Sequence, residues 1–208
     1  KDPKNRLVAR GPRFRVEGEI VRDIALAASG LLNPEIGGKS VFPPQPEGAS
    51  KLGQIQREWV EATDNERFRR GMYTYFWRAS PHPGLMVFDA PDSTNACTRR
   101  PRSNTPLQAL TLLNDKAYYE FAQGMAKRVL HDGGASNADR LDYAFELCVA
   151  RPPDSEERSE LSGFLTQQLD ELQTNADAAK QIAETPELAA WTALSRVLLN
   201  LDEFITRE

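Results

Sequence analysis

This 208-residue chain is poor in the residues that usually carry metal and nucleophile chemistry. It has two cysteines, Cys97 and Cys148, and two histidines, His82 and His131. No CxxC or CxxCH occurs, which excludes a c-type haem attachment within these residues and argues against a structural zinc site. With two histidines, both in or beside loops, Ser-His-Asp and Cys-His arrangements have few options. No apolar run approaches the roughly 18 to 20 residues of a membrane span. The only glycine-rich candidate for a phosphate cradle, GGKS at 37–40, lacks the earlier glycine and the strand-to-helix context of a P-loop. The opening KDPKNRLVARGPRFR has no apolar signal core. It reads as a C-terminal piece of a larger protein, with any targeting signal upstream. Cys97 and Cys148 allow two readings. One disulfide would close a loop of about 50 residues and stabilise by roughly 4 kcal/mol; the other reading is two buried free thiols.

What is present is ordinary globular composition with an uneven charge. Residues 1–102 hold 17 Lys and Arg against 12 Asp and Glu, and 13 of the 17 are arginines. Residues 103–208 hold 9 against 18. Arginine's planar fork suits fixed pairing with carboxylates or phosphates. Either the basic half docks on the acidic half, or it holds an external anion. Nucleic acid is not expected, because there is no sustained basic helix and no reader motif.

The patterning predicts an all-α fold of five to six helices. A loop-rich N-terminal half, 1–104, packs on a compact C-terminal bundle, 105–208, the whole forming one helical domain. Residues 16–32 place Ile20, Ile24, Ala27 and Leu31 on one helical face, ended by Asn33-Pro34. GGKSVFPPQPEGAS is loop, extended around Phe42-Pro43-Pro44. IQREWVEATD reads as a short strand or extended stretch. In 66–80, Phe68, Met72, Tyr75 and Phe76 share a helical face, stopped by Pro81-His82-Pro83-Gly84. Residues 85–104 read as ordered loop. Thr105-Pro106-Leu107-Gln108 is a capping box, followed by a stripe of Leu110, Leu113, Ala117, Phe121, Met125 and Val129 up to Gly133-Gly134. A helix over about 137–150 turns Leu141, Phe145 and Cys148 inward. A second capping box, Asp154 to Glu157, opens a helix with Leu161, Phe164 or Leu165, Gln168 and Leu172 inward. Thr185-Pro186-Glu187 opens the last, with Leu188, Trp191, Leu194, Leu198 and Leu201 inward.

Seven blocks carry a family resemblance. They are RVEGEIVRDIALAASGLL (15–32), GGKSVFPPQP (37–46), RFRRGMYTYFWRASPHP (67–83), LMVFDAPD (85–92), CTRRPRSNTPLQALTLLND (97–115), CVARPPDSEE (148–157) and SRVLLNLDEF (195–204). In these the chain resembles the C-terminal domain of unknown function of planctomycete-type cytochrome-linked secreted proteins, the Planctomycete PSD domain family. The resemblance implies a periplasmic or secreted location. It also implies upstream domains of the same polypeptide, among them a cytochrome-c-like module and sometimes a carbohydrate-binding-like sandwich. No cofactor is expected in this fragment.

The residues with chemical potential are few. Arg22 and Asp23, mid-helix, are read as ion-pairing. Arg69, Arg70, Tyr73 and Arg78 either face a groove or pack their stems on aromatics. His82, in a rigid turn, and Asp89, in FDAPD, are the weak catalytic candidates. Arg99, Arg100 and Arg102 precede a helix start, where free N–H groups already favour anions. They either complete an anion site or pair with protein carboxylates such as Asp23, Asp89 or Asp115, and the second reading is preferred. The leading expectation is a non-catalytic module that docks on upstream domains. The alternative is half of an enzyme site for an acidic or sulfated polysaccharide, with Arg69, Arg70, Arg99, Arg100 and Arg102 binding the anionic groups and Asp89 or His82 moving protons. A third is support of electron transfer to a cytochrome module.

Overall fold

A computed structural model describes residues 4–9, 11, 13–51 and 58–207. The fold is mostly helical, with one two-stranded ladder among the described residues. Strand β1 (Phe14–Arg15) pairs antiparallel with β2 (Thr206–Arg207), so the two ends of the described chain are hydrogen-bonded to each other. The Val16 N–H adds a bond to the Ile205 carbonyl at 2.9 Å.

Helix α1 (Gly18–Ser29) ends at Gly30, whose φ of 74° is the left-handed conformation glycine supplies at a helix stop. Its buried face is Val21, Arg22, Ala25, Leu26 and Ala28, one position off the expected stripe, and Ile20 and Ala27 face outward. The small residues win because α1 lies close against helix α4 (Lys116–Asp132). Gly124 of α4 admits Leu31 so closely that a Cβ there would lie 2.7 Å from Leu31 Cδ1.

Residues 66–80 are not an α-helix. They form two 3-10 turns, Asn65–Phe68 and Gly71–Tyr73, joined by bridges of Arg69 to Asn33 and of Thr74 to Val41. Gly71 abuts α1 and the backbone polar groups are satisfied by loop partners, which overrides the apolar spacing. Phe42-Pro43-Pro44 is extended as expected, with Phe42 stacked on Tyr75 at 4.9 Å. Of the stretch IQREWVEATD, residues 55–57 lie outside the described residues, and 58–63 carry no regular structure. A one-turn helix, α2 (Pro83–Met86), stands at the start of the expected loop.

The bundle follows the capping signals. Helix α3 (Pro106–Asn114) begins with the Gln108 side chain accepting from the Thr105 N–H at 3.1 Å. It does not run on to residue 132. Asp115 turns extended and caps α4, accepting from the Ala117 N–H at 2.8 Å. The stripe therefore restarts: Ala117, Phe121, Met125 and Val129 are buried, while Leu110 is 56% exposed. Helices α5 (Asn137–Val149) and α6 (Ser155–Thr174) start at Ser136 and Asp154 caps. The short α7 (Ala176–Ile182) was not evident in the pattern. Helix α8 (Pro186–Leu199) is the centre, packed against α3, α4, α5, α6 and α7, with Trp191, Leu194 and Leu198 fully buried. A last turn, α9 (Asp202–Ile205), leads into β2.

Candidate functional site

Three polar clusters tie the N-terminal half together, the third of them reaching α3 through Gln108. The first is built on α1 and the two 3-10 turns. Arg69 is 1% exposed. Its guanidinium donates to the carbonyls of Glu35 (3.0 Å), Gly37 and Lys39 (3.3 Å), and lies 4.0 Å over the Tyr73 ring. The Tyr73 hydroxyl accepts from the Gly37 N–H at 2.8 Å. Together they clamp the 35–39 loop, so neither faces a ligand groove. Arg70 donates to Asp23 at 2.8 Å, and the other Asp23 oxygen takes the Gly71 N–H at 2.6 Å.

The second cluster is the Arg99–Arg102 loop. Arg100 bonds Glu17 at 3.1 Å and Glu19 at 2.8 Å, at the start of α1. Arg102 reaches Glu17 at 3.9 Å and lies 4.8 Å over the Phe14 ring. Arg99 is exposed, and Arg78, also exposed, stands near Asp92 rather than near Arg69. The anions that hold this loop are thus Glu17 and Glu19, not Asp23, Asp89 or Asp115. Along α1 the acids Glu17, Glu19 and Asp23 form a rail that neutralises arginines of the same half. The expected docking of basic half on acidic half is confined to a few pairs, such as Arg67–Glu120 at 2.7 Å and Arg13–Asp202. An open groove of about 550 Å³ runs beside Arg99, Arg100 and Arg102.

The third cluster contains Asp89. Its carboxylate takes the Ser103 N–H and Ser103 hydroxyl, both at 2.8 Å, and the buried Arg15 guanidinium at 2.5 Å. Arg15 also donates to the Ser103 carbonyl at 2.6 Å and the Phe88 carbonyl at 3.2 Å. Gln108, 1% exposed, ties Ser103 Oγ to the Val87 carbonyl with its side-chain amide, at 2.9 Å each. Burial pushes the Asp89 carboxyl up, but the two Ser103 bonds and Arg15 outweigh it and hold it below the ordinary carboxylate range. Asp89 has a φ of 60°, so it also supplies a tight left-handed bend.

His82 is elsewhere. It lines a cavity of about 20 Å³ together with Arg22, Thr74, Asp115 and Tyr118. Its Nε2 lies 3.1 Å from the Pro44 carbonyl, and burial lowers its pKa to about 4, so it is neutral at pH 7. Arg22 donates to the Arg67 carbonyl at 2.6 Å and lies 5.3 Å from the Phe121 ring centre. Burial lowers its pKa, opposed by Tyr118, Asp23 and Asp115. Burial likewise raises the Asp115 carboxyl and the Tyr118 hydroxyl. Asp115 is a helix cap in Arg22's field rather than a bonded ion-pair partner.

The cysteines are not bonded to each other. Cys97 is exposed, while Cys148 is buried in the bundle with its Sγ 3.9 Å from Met125 Sδ. They sit in different environments, one on the arginine loop and one inside α5. Among the described residues no three His, Cys, Asp or Glu side chains gather as a metal site, and no helix is long and apolar enough to cross a membrane.

Sequence reasoning missed Arg15, Thr74 and Tyr118, and read Gln108 only as a cap. Arg15 gave no signal: in Phe14-Arg15-Val16 the arginine turns in and the phenylalanine is 39% exposed, the reverse of what polarity suggests.

These features belong to residues covered, through position 165, by a family model described as PSD1, protein of unknown function (DUF1553). The chain belongs to that family. The matched span takes in all three clusters and stops within α6, short of α8. Comparison with curated proteins and with solved structures gives no match.

Proposed function

We propose that this chain is a non-catalytic helical module that docks on other domains of a longer extracytoplasmic polypeptide. The observation that carries the reading is how the chemically capable side chains are used. Arg69 and Tyr73 clamp a loop, Asp89 holds Ser103 and Arg15, and His82 is buried and neutral. What is left outward is a surface of mixed character: Leu107 and Leu110 of α3 are 60% and 56% exposed, the preceding loop presents Arg99 and Arg102, and Phe14 of β1 lies 39% exposed under Arg102. Arginine and large apolar groups are the usual anchors of interfaces between folded proteins. The reading of the partner as upstream domains of the same polypeptide, a cytochrome-like module among them, and of the setting as periplasmic or secreted is supported by the resemblance described above.

The polysaccharide reading required Arg69, Arg70, Arg99, Arg100 and Arg102 to converge on one point with either Asp89 or His82. Arg69 is enclosed, Arg70 is paired with Asp23, Asp89 is held by Ser103 and Arg15, and His82 is buried. That leaves the docking reading as the better supported of the two.

The test uses the whole polypeptide. Leu107→Asp with Leu110→Asp should detach the module, seen as a larger radius of gyration in X-ray scattering and faster proteolysis of the preceding linker. Arg99→Glu with Arg102→Glu should act in the same direction. Unchanged scattering in both double variants, with the fold intact by circular dichroism, would overturn the docking reading.

A further inference from the structure

The cavity beside His82 has a chemical requirement that can be read from its walls. Three buried polar atoms of residues lining it have no hydrogen-bond partner among the described residues: Arg22 Nε, Thr74 Oγ1 and His82 Nδ1. All three residues are over nine-tenths buried, at 7%, 8% and 7% exposed. Each such atom is costly to leave unbonded, and the charged guanidinium most of all.

Their donor and acceptor roles differ. Arg22 Nε–H can only donate. The Pro44 carbonyl can only accept, so the imidazole proton resides on Nε2 and the Nδ1 of the neutral ring is a bare lone pair that must accept. Thr74 can do either. The occupant must therefore accept from Arg22 and donate to His82 at once.

That pairing excludes two classes of ligand. An anion only accepts, so it would meet the His82 lone pair unfavourably, and the Asp115 carboxylate on the same wall would repel it. A metal cation would face the Arg22 guanidinium. The occupant is neutral, with both donor and acceptor capacity, and small. A volume of about 20 Å³ has room for one molecule the size of water. Gly84 keeps the space beside the imidazole open, since a Cβ there would lie 3.3 Å from Nδ1.

We propose that this cavity is a binding site for a single internal water molecule, which accepts from Arg22 Nε–H, donates to His82 Nδ1 and bonds Thr74 Oγ1. Three hydrogen bonds is the usual complement of a buried water. The water joins α1, the second 3-10 turn and the His82 turn through one point, so the seam between the loop-rich half and α4 is hydrated rather than dry.

The test is a crystal structure of the chain at a resolution that shows ordered water, with a parallel bromide soak. The expected result is one spherical peak about 2.7 to 3.2 Å from the three atoms, with no anomalous signal in the soaked crystal. An empty cavity would overturn the proposal, and so would a bromide peak at the site. A second measurement needs no crystal: the nitrogen spectrum of ¹⁵N-histidine-labelled chain at pH 7 should show His82 protonated at Nε2, with Nδ1 shifted as a hydrogen-bond acceptor. A proton on Nδ1, or an Nδ1 signal without that shift, would overturn it.

Discussion

Gly71 rests directly on the backbone of Glu19: a Cβ built on Gly71 would lie 2.8 Å from both the Cα and the carbonyl oxygen of Glu19. Neither neighbour is a flexible side-chain tip, because both are backbone atoms of α1. Gly71→Ala should therefore push the 3-10 turn off α1, stretching the Gly71 N–H bond to Asp23 and the Arg70 pair beside it. The expected loss is about 1 to 3 kcal/mol, read as a lower urea midpoint. Gly163, which has nothing within 4 Å of its Cβ direction, is the control: alanine there should be neutral or slightly stabilising.

Asp89 should be a stability residue. Asp89→Asn keeps the left-handed bend, which asparagine tolerates, but removes the charge facing a guanidinium whose side chain is 2% exposed. Leaving Arg15 uncompensated in this part-buried pair costs about 1 to 3 kcal/mol, measurable by thermal or chemical denaturation. Asp89→Ala should be worse, because the strained φ of 60° loses a residue suited to it. The pH sign follows from a lowered carboxyl pKa. The contribution of Asp89 is present above the unfolded value near 3.8 and is lost as pH falls through the lower folded value.

His82 acts in a different window. Its pKa falls from 6.5 to about 4 on folding. Between those values the unfolded chain binds the proton and the folded chain does not, so stability rises with pH across the window. Acidifying from pH 7 to 4 should cost about 3 kcal/mol through this group. The titratable groups around it are Arg22 on α1 and Asp115 and Tyr118 at the start of α4, the tyrosine neutral throughout this window. In His82→Gln the slope of the denaturation midpoint between pH 4.5 and 7 should flatten. An unchanged slope would assign the acid sensitivity elsewhere.

The thiols should behave as two separate groups. Native protein should react with one equivalent of a thiol reagent, at exposed Cys97, and with a second only on unfolding. Burial raises the Cys148 thiol to about 12, so it carries almost no thiolate at neutral pH. Mass spectrometry without reductant should show no loss of two hydrogens; a mass two units lighter would restore the disulfide.

Much of the bundle was legible because its signals are local. Thr105, Asp154 and Thr185 announce helix starts, and Leu141, Phe145, Leu188 and Leu194 keep period through helices long enough to average out noise. Asp115 was misread because a cap and a buried acid look alike in sequence when an apolar stripe continues on both sides, here Leu110 and Leu113 before it and Ala117 and Phe121 after. The arginine sites were harder. Arg69 and Arg15 are enclosed by carbonyl oxygens, and no residue type encodes a carbonyl. The partners of Arg100 were within reach of inspection, since Glu17 and Glu19 open the first helix, but 81 and 83 residues of intervening chain gave no reason to choose them over other acids.

The ladder of β1 and β2 has a mechanical side. Phe14 lies opposite Arg207 and Arg15 opposite Thr206, so tension applied at the outer ends meets the paired strands one rung at a time, from Phe14–Arg207 inward. Ladders loaded in sequence share no force between their bonds. Pulled through both ends, this fold should yield first at its seam, releasing the edge strands and the Arg13–Asp202 pair while the helices around Trp191 still hold.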